Sequence, residues 1–283
     1  MNGIFNVIKP TGMSSNLCVS KIKRKFNIKK VGHLGTLDPD ASGVLPICVG
    51  KATRLFDYFL KKNKVYRAIF VFGKETDTLD SEGTITQTNQ IPNIGNIQQV
   101  MNTFLGEQEQ MPPKYSAKKV NGKNAYELSR NGEDFELKPK KINIIRFDLI
   151  KVLSNNMILV EIECSSGTYV RSLARDLAQK LNTCSYVGAI IRVSSGMFQI
   201  SEAKNLEDIA ESDIISNKQV LSYLNNFTLS EKEIKDLYDG KIVKTNISDC
   251  ENIVLVSKNE VLAICSINEH IIKIKINLRE EIW

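Results

Sequence analysis

Asp38 lies in the stretch Gly32-His33-Leu34-Gly35-Thr36-Leu37-Asp38-Pro39-Asp40-Ala41-Ser42-Gly43-Val44-Leu45-Pro46. Glycines, prolines, two aspartates and one of the chain's two histidines crowd together there. A carboxylate held by a loop between apolar flanks can act as a nucleophile or a base, because loops on rigid scaffolds carry much of protein chemistry. The same residues also suit a structural turn in which Asp38 caps its own backbone. The apolar positions match neither a helical nor a strand template over a useful length, so the stretch is expected to be loop. Arg171 is the second candidate. It falls in the first turn of an expected helix, close to the positive end of the dipole, where a cation is unfavourable unless an anion is near. It is either a solvated arginine or the partner of a carboxylate or phosphate.

The elements that must position these groups can be read from periodicity and caps. Ser14 or Ser15 can cap a helix running to about Phe26, with Cys18, Ile22 and Phe26 on one face. Val65 to Phe72 reads as a strand, and Ile97, Val100, Met101, Phe104 and Leu105 fit an amphipathic helix. Residues 111–141 turn polar and basic, an excursion from the core with a short helix around Ala125–Arg130. Strands are expected at about Ile142–Leu153 and Met157–Cys164. Thr168 is expected to cap the next helix, whose Val170, Leu173, Ala174, Leu177, Ala178 and Leu181 keep helical spacing. A boundary falls near 225–240, where Ser230 and Glu233 have capping-box spacing and Gly240 ends the helix. Three short strands follow, at about 252–257, 261–267 and 271–277.

Composition narrows the function class. The 283 residues carry 38 Lys and Arg against 32 Asp and Glu, a formal charge of +6. The basic residues cluster, first in Lys21–Lys30 and again at Lys114, Lys118, Lys119, Lys123, Lys138, Lys140 and Lys141. Such patches are the footprint of a nucleic-acid binder or, equally, solvated faces of a lysine-rich chain. The six cysteines include no CxxC pair, and two histidines exclude a multi-histidine metal site. No membrane-length apolar run and no secretory leader are seen, so a cytoplasmic protein with reduced cysteines is expected.

The stretch from Gly32 to Pro46 resembles the signature loop of the bacterial tRNA pseudouridine-55 synthases, the tRNA pseudouridine synthase B family. Further stretches fall in that family's order: Lys9-Pro10-Thr11-Gly12, Lys64-Val65-Tyr66-Arg67, Thr76 to Gly83, Pro112 to Lys123, Ser166 to Leu173, and Arg192 to Phe198. The likeness spans about residues 3–200. It implies an α+β fold, a mixed and largely antiparallel sheet flanked by helices, with a small C-terminal β module resembling a truncated PUA barrel. The expected division is a catalytic domain at 1–228, with an RNA-binding insertion at about 111–141, and the small module at 229–283.

The resemblance also implies an activity: isomerisation of uridine 55 to pseudouridine in the T-loop of tRNA, with no cofactor and no metal. The implied partner is the tRNA T-arm, with no membrane involved and a monomer sufficient. By the same resemblance Asp38 is the nucleophile, Arg171 its cationic partner, and Tyr66 the active-site tyrosine. Tyr169 and Ile190 match positions lining the base pocket. His33 matches the residue that fills the place of the flipped base, and Arg54 and Lys9 match basic residues near the site. Attack at C1′, attack at C6 and a glycal route all remain open. Some positions depart from the pattern. Leu34 replaces a usual threonine, Asp40 a common leucine, Tyr186 a frequent histidine, and Ile191 one of two arginines. Asp40 adds a charge close to Asp38 that could raise its pKa. Two other classes compete: a non-catalytic RNA-binding protein, and a subunit of an RNA-guided synthase.

Overall fold

The computed structural model describes residues 1–279 except 117 and 121, with Asn124 described by its backbone alone. Ala117 and Asn121, both within the Pro112–Lys123 stretch, therefore lie outside the described residues. In chain order the main elements are β1 (Gly3–Lys9), α1 (Ser15–Lys25), β2 (Val31–His33), β3 (Ser42–Val49) and β4 (Lys64–Phe72). Then come α2 (Ile97–Asn102), β5 (Gly106–Gln110), α3 (Ala125–Arg130), β6 (Lys140–Ser154), β7 (Met157–Cys164), α4 (Val170–Lys180) and β8 (Ser185–Ser195). A short strand β9 (Asn226–Phe227), α5 (Glu231–Tyr238), β10 (Cys250–Ser257), β11 (Glu260–Asn268) and β12 (Ile271–Asn277) complete the chain.

The helices start where side chains can satisfy free amides. Ser14 accepts from Leu17 N ahead of α1, and Ser230 and Glu233 form a capping box ahead of α5. Thr168 does not cap α4, contrary to expectation. Its hydroxyl donates to the Ser165 carbonyl, and Gln110 from β5 caps the chain instead, accepting from Tyr169 N at 2.8 Å. The helix therefore begins at Val170, one residue later than a Thr168 cap implies.

A ten-stranded sheet runs in the order Lys204–Asn205, β1, β3, β8, β4, β7, β6, β5, with β2 alongside β3 and Phe198–Gln199 alongside β8. Pairing is antiparallel except at β1 with Lys204–Asn205 and at β8 with β3. Two apolar clusters pack on it. Helix α4 seats Leu173, Ala174 and Leu177 against Phe70, Phe72 and Val160, while α1 seats Cys18 and Ile22 against Phe5, Val7 and Leu45. Tyr66 and Ile190 touch both clusters and so mark the line where they meet.

The Asp38 stretch is only partly loop. Ser42 to Pro46 belongs to β3, whose residues beyond Ser42 are all buried, so no alternation betrays the strand. Pro46 is tolerated because its carbonyl, accepting from Leu34 N, faces away from β1, and no amide is needed on that side. Gly43, at φ +102°, allows β8 to approach, since a Cβ there would collide with the Arg192 backbone.

The C-terminal sheet, β9-β10-β11-β12, has its own core of Phe227, Leu237, Leu255, Ala263 and Cys265. It starts at Asn226, within the expected boundary region of 225–240. Its hairpins turn on Lys258-Asn259 and Glu269-His270, all four at positive φ, the I′ geometry that two-residue hairpins favour. Val254, Val261, Ile264 and Leu278 share a cluster with Ile4, Val44 and Leu55, which joins the two sheets. No helix among the described residues is long and apolar enough to cross a membrane.

Candidate active site

The loop between β2 and β3 is held by three buried polar side chains. Lys9 at the end of β1 is fully buried and donates to the carbonyls of Pro10 (2.8 Å), Met13 (2.6 Å) and Pro39 (2.8 Å). Ser15 brackets Leu37, donating to its carbonyl and accepting from its amide at 3.0 and 2.9 Å. Arg192 of β8 donates to Val44 O at 2.7 Å and to Gly35 O at 3.1 Å. Within this frame Asp38 closes a turn by backbone alone, its carbonyl accepting from Ala41 N with Pro39 at the second position. The side chain is thus not consumed as a cap.

Asp38 instead meets Arg171. Nη2 of Arg171 lies 2.7 Å from Asp38 Oδ2, the arginine side chain 7% exposed and the aspartate 42%. The guanidinium is closed in and the carboxylate is open to a ligand. Arg171 also reaches Asp80 Oδ2 at 3.2 Å, the Thr78 carbonyl at 2.8 Å and the Tyr115 carbonyl at 3.0 Å. A buried cation is tolerable only when so surrounded. Its two carboxylates also lie at the positive end of α4, which favours them.

Asp80 is a site residue that reading the sequence missed. Thr78 Oγ1 donates to its Oδ1 at 2.5 Å, and the preceding residue, Leu79, takes a left-handed φ of +62° to aim it. The available signal was the carboxylate-rich Thr76 to Gly83 stretch together with a first-turn arginine that needs anions. Ser15 offered itself only as a possible helix cap, not as the bracket of Leu37.

Two clefts meet at Asp38. The larger, about 530 Å³, is lined by Tyr66, Tyr169, Ile190, Arg171, Lys64 and Arg192 among others. Tyr66 and Arg192 are directly opposed on β4 and β8, and register shifts in β8 on both sides of Ile190–Arg192 twist the strand there. Burial pushes the Tyr66 phenol up, with Arg192 opposing, so the hydroxyl keeps its proton at neutral pH. Burial likewise raises Tyr169. The second cleft, about 410 Å³, adds Asp40, Asp80 and Glu82.

Two expected contacts, Lys9 and Arg54, fall elsewhere. Lys9 has no proton free for a substrate, because all three face carbonyls; it is a strut of the loop. Lys9→Met is therefore expected to cost about 1–3 kcal/mol of stability for each carbonyl stranded in the interior. Turnover should fall while tRNA affinity stays within about threefold. A thermal melt and a binding titration check this, and loss of affinity would restore Lys9 as a contact. Arg54 donates to the Asn277 carbonyl at 2.7 Å and so binds β12 instead of lining either cleft. His33 ends β2, lines neither cleft, and is lowered in pKa by burial and then by Arg192, which keeps the ring neutral.

Asp40 explains how it can sit so near Asp38. Burial first, then the Glu82, Asp80 and Asp38 carboxylates, push it up to about 7, so at neutral pH it adds only part of a charge. The folded state then binds more protons than the unfolded one between about pH 4 and 7, and stability falls as pH rises through that window. Asp40→Asn keeps a donor for Glu82 without the charge. Its Tm should exceed wild type at pH 8 by on the order of 2–4 °C and match it at pH 4. An equal gap at both pH values would contradict the raised Asp40 carboxyl.

Among the described residues no group of three or more His, Cys, Asp or Glu could hold a metal ion. The description "TruB family pseudouridylate synthase (N terminal domain)" fits residues 23–170. A Caldanaerobacter subterraneus protein called tRNA pseudouridine synthase B is 38% identical over 277 residues, which cover 89% of this chain and 97% of that one. One of the same name from Clostridium perfringens is 42% identical over 252 residues, 87% of this chain and 86% of that one. In three dimensions the chain superposes at a TM-score of 0.73 and 20% identity on a chain of an H/ACA RNP bound to a substrate RNA containing 2′-deoxyuridine, covering 98% of this chain and 85% of that one. That likeness establishes the pseudouridine synthase fold, and the sequence matches establish the lineage. The chain belongs to the TruB family of pseudouridylate synthases.

Proposed function

We propose that this chain isomerises uridine 55 in the T-loop of tRNA to pseudouridine, with Asp38 as the nucleophile. The observation that supports this most strongly is the open Asp38 carboxylate paired with a closed Arg171 beside a tyrosine-lined cleft, in a chain of this family. The reaction breaks the bond between C1′ and N1, forms one between C1′ and C5, and moves the C5 proton away. Nothing is oxidised or reduced. Arg171 engages Oδ2 of Asp38, leaving the other oxygen for the nucleotide. Tyr66 and Tyr169 supply ring surface and hydroxyls for a uracil taken out of its stack, a step costing about a few kcal/mol. Tyr66, protonated at neutral pH, acts as a relay for the C5 proton and not as a phenolate base.

Residues 111–141 would lie over the RNA. Met111 is anchored to α4, its carbonyl accepting from Ser172 and Arg175, and the lysines beyond it would meet phosphates, which makes affinity salt-dependent. All six cysteines are free and five are buried, in keeping with action on tRNA in a reducing cytoplasm.

Purified protein, given an unmodified tRNA transcript and no guide RNA, should form pseudouridine at one T-loop position, read by chemical mapping. Conversion at no uridine would overturn the stand-alone enzyme, and conversion only outside the T-loop would overturn the site assignment.

A further inference from the structure

The two clefts at Asp38 differ in charge. One sets Asp38, Asp40, Asp80 and Glu82 against Arg67 and Arg171; the other sets Lys64, Lys118, Lys140, Arg171 and Arg192 against Asp38 alone. Two of those cations are already committed. Arg171 serves Asp38 and Asp80, and Arg192 serves loop carbonyls. Lys64 is not. It is 4% exposed at the start of β4, and its ammonium donates only to the Leu60 and Lys62 carbonyls. One of its three protons remains for the cleft. No carboxylate pairs with it among the described residues.

Its titratable neighbours are Arg192, Lys140 and Cys164, the thiol pushed by burial up to about 11, with Tyr66 and Asp38 lining the same cleft. Burial, and then Arg192, bring Lys64 down to about 8. A closed-in ammonium facing other cations is costly unless an anion joins it. Lys140 approaches from β6 across the turn at Gly167, where φ is +84° and any Cβ would collide with its ammonium. The glycine leaves room for the Lys140 ammonium to lie over the turn.

We propose that Lys64 and Lys140 together seat a backbone phosphate of the nucleotide taken into the cleft at Asp38. This rests on the reading that an RNA uridine is the substrate, and it names the atoms that fix the nucleotide's sugar against the carboxylate. A phosphate there favours the charged form of Lys64. RNA binding therefore takes up a proton above about pH 8, and affinity falls as pH rises past that point.

The test uses an unmodified T-arm hairpin RNA in which single 2′-deoxy methylphosphonate linkages are scanned through the loop, each beside its 2′-deoxy phosphate control. At one linkage next to the target uridine, neutralising the phosphate should cost wild type on the order of tenfold in affinity, as a charge-assisted hydrogen bond would. Lys64→Gln and Lys140→Ala should lose little further at that linkage and the full amount elsewhere. Lys64→Arg, which keeps the cation, should bind with a flat profile from pH 7 to 9 where wild type declines. If every linkage costs Lys64→Gln and Lys140→Ala as much as wild type, or if Lys64→Arg declines like wild type, no phosphate sits there. Conversion of the unsubstituted hairpin is measured alongside. Coupling without conversion would leave the phosphate seat standing and overturn the isomerase reading.

Discussion

Arg171→Ala should lower kcat by about 10²–10³-fold while tRNA affinity changes by less than about threefold, because breaking a buried ion pair is worth about 3–5 kcal/mol. The guanidinium is closed in at the cleft wall, its side chain 7% exposed, with Asp38, Asp80 and the carbonyls of Thr78 and Tyr115 around it. Its removal strands two carboxylates and frees Asp38 to rotate off target. Part of the loss will appear as stability, so the variant must be compared below its melting temperature. Arg171→Lys separates charge from geometry. A lysine preserves the cation but cannot span both aspartates and both carbonyls with one planar fork. It should recover stability more than rate. Single-turnover rates with excess enzyme, set beside filter-binding affinities, decide the matter. Equal losses of rate and affinity would make Arg171 an RNA contact.

Asp38→Asn should abolish conversion, a loss of about four orders of magnitude or more, as removal of a reacting group does elsewhere. The amide keeps the size of the carboxylate, and the turn that presents it depends on the Asp38 carbonyl, not its side chain. The fold and the tRNA affinity should therefore survive, with Tm close to wild type or modestly lower from the lost pairing with Arg171. Chemical mapping of the product gives the answer over hours of incubation. Persistent conversion would remove Asp38 from the chemistry and leave it a structural acid.

Much of the local architecture was legible in the residues. Helix α1 follows from Ser14 and the spacing of Cys18 and Ile22, and α5 from its Ser230–Glu233 box. Strands β4, β6, β7 and β10 to β12 announce themselves by β-branched and aromatic runs between turns. These signals act over two to four residues, the range over which backbone hydrogen bonds and side-chain faces repeat. The central strands β1, β3 and β8 did not stand out. They are buried or carry residues such as Pro46, Arg192 and Ser194, whose presence only their neighbours explain.

The site divides along the same line. The type and order of Asp38, Tyr66, Tyr169 and Arg171 are properties of the chain, as is the family they resemble. What each polar residue does was settled in three dimensions. Lys9 and Arg192 were ordinary basic residues until folding placed Pro39 above one and Gly35, 157 positions away, beside the other. Asp80 became a partner of Arg171 across 91 positions. A side chain's charge and shape are local, but its role depends on which groups lose water beside it. Only the packed sheet, closing loops of this length, determines that.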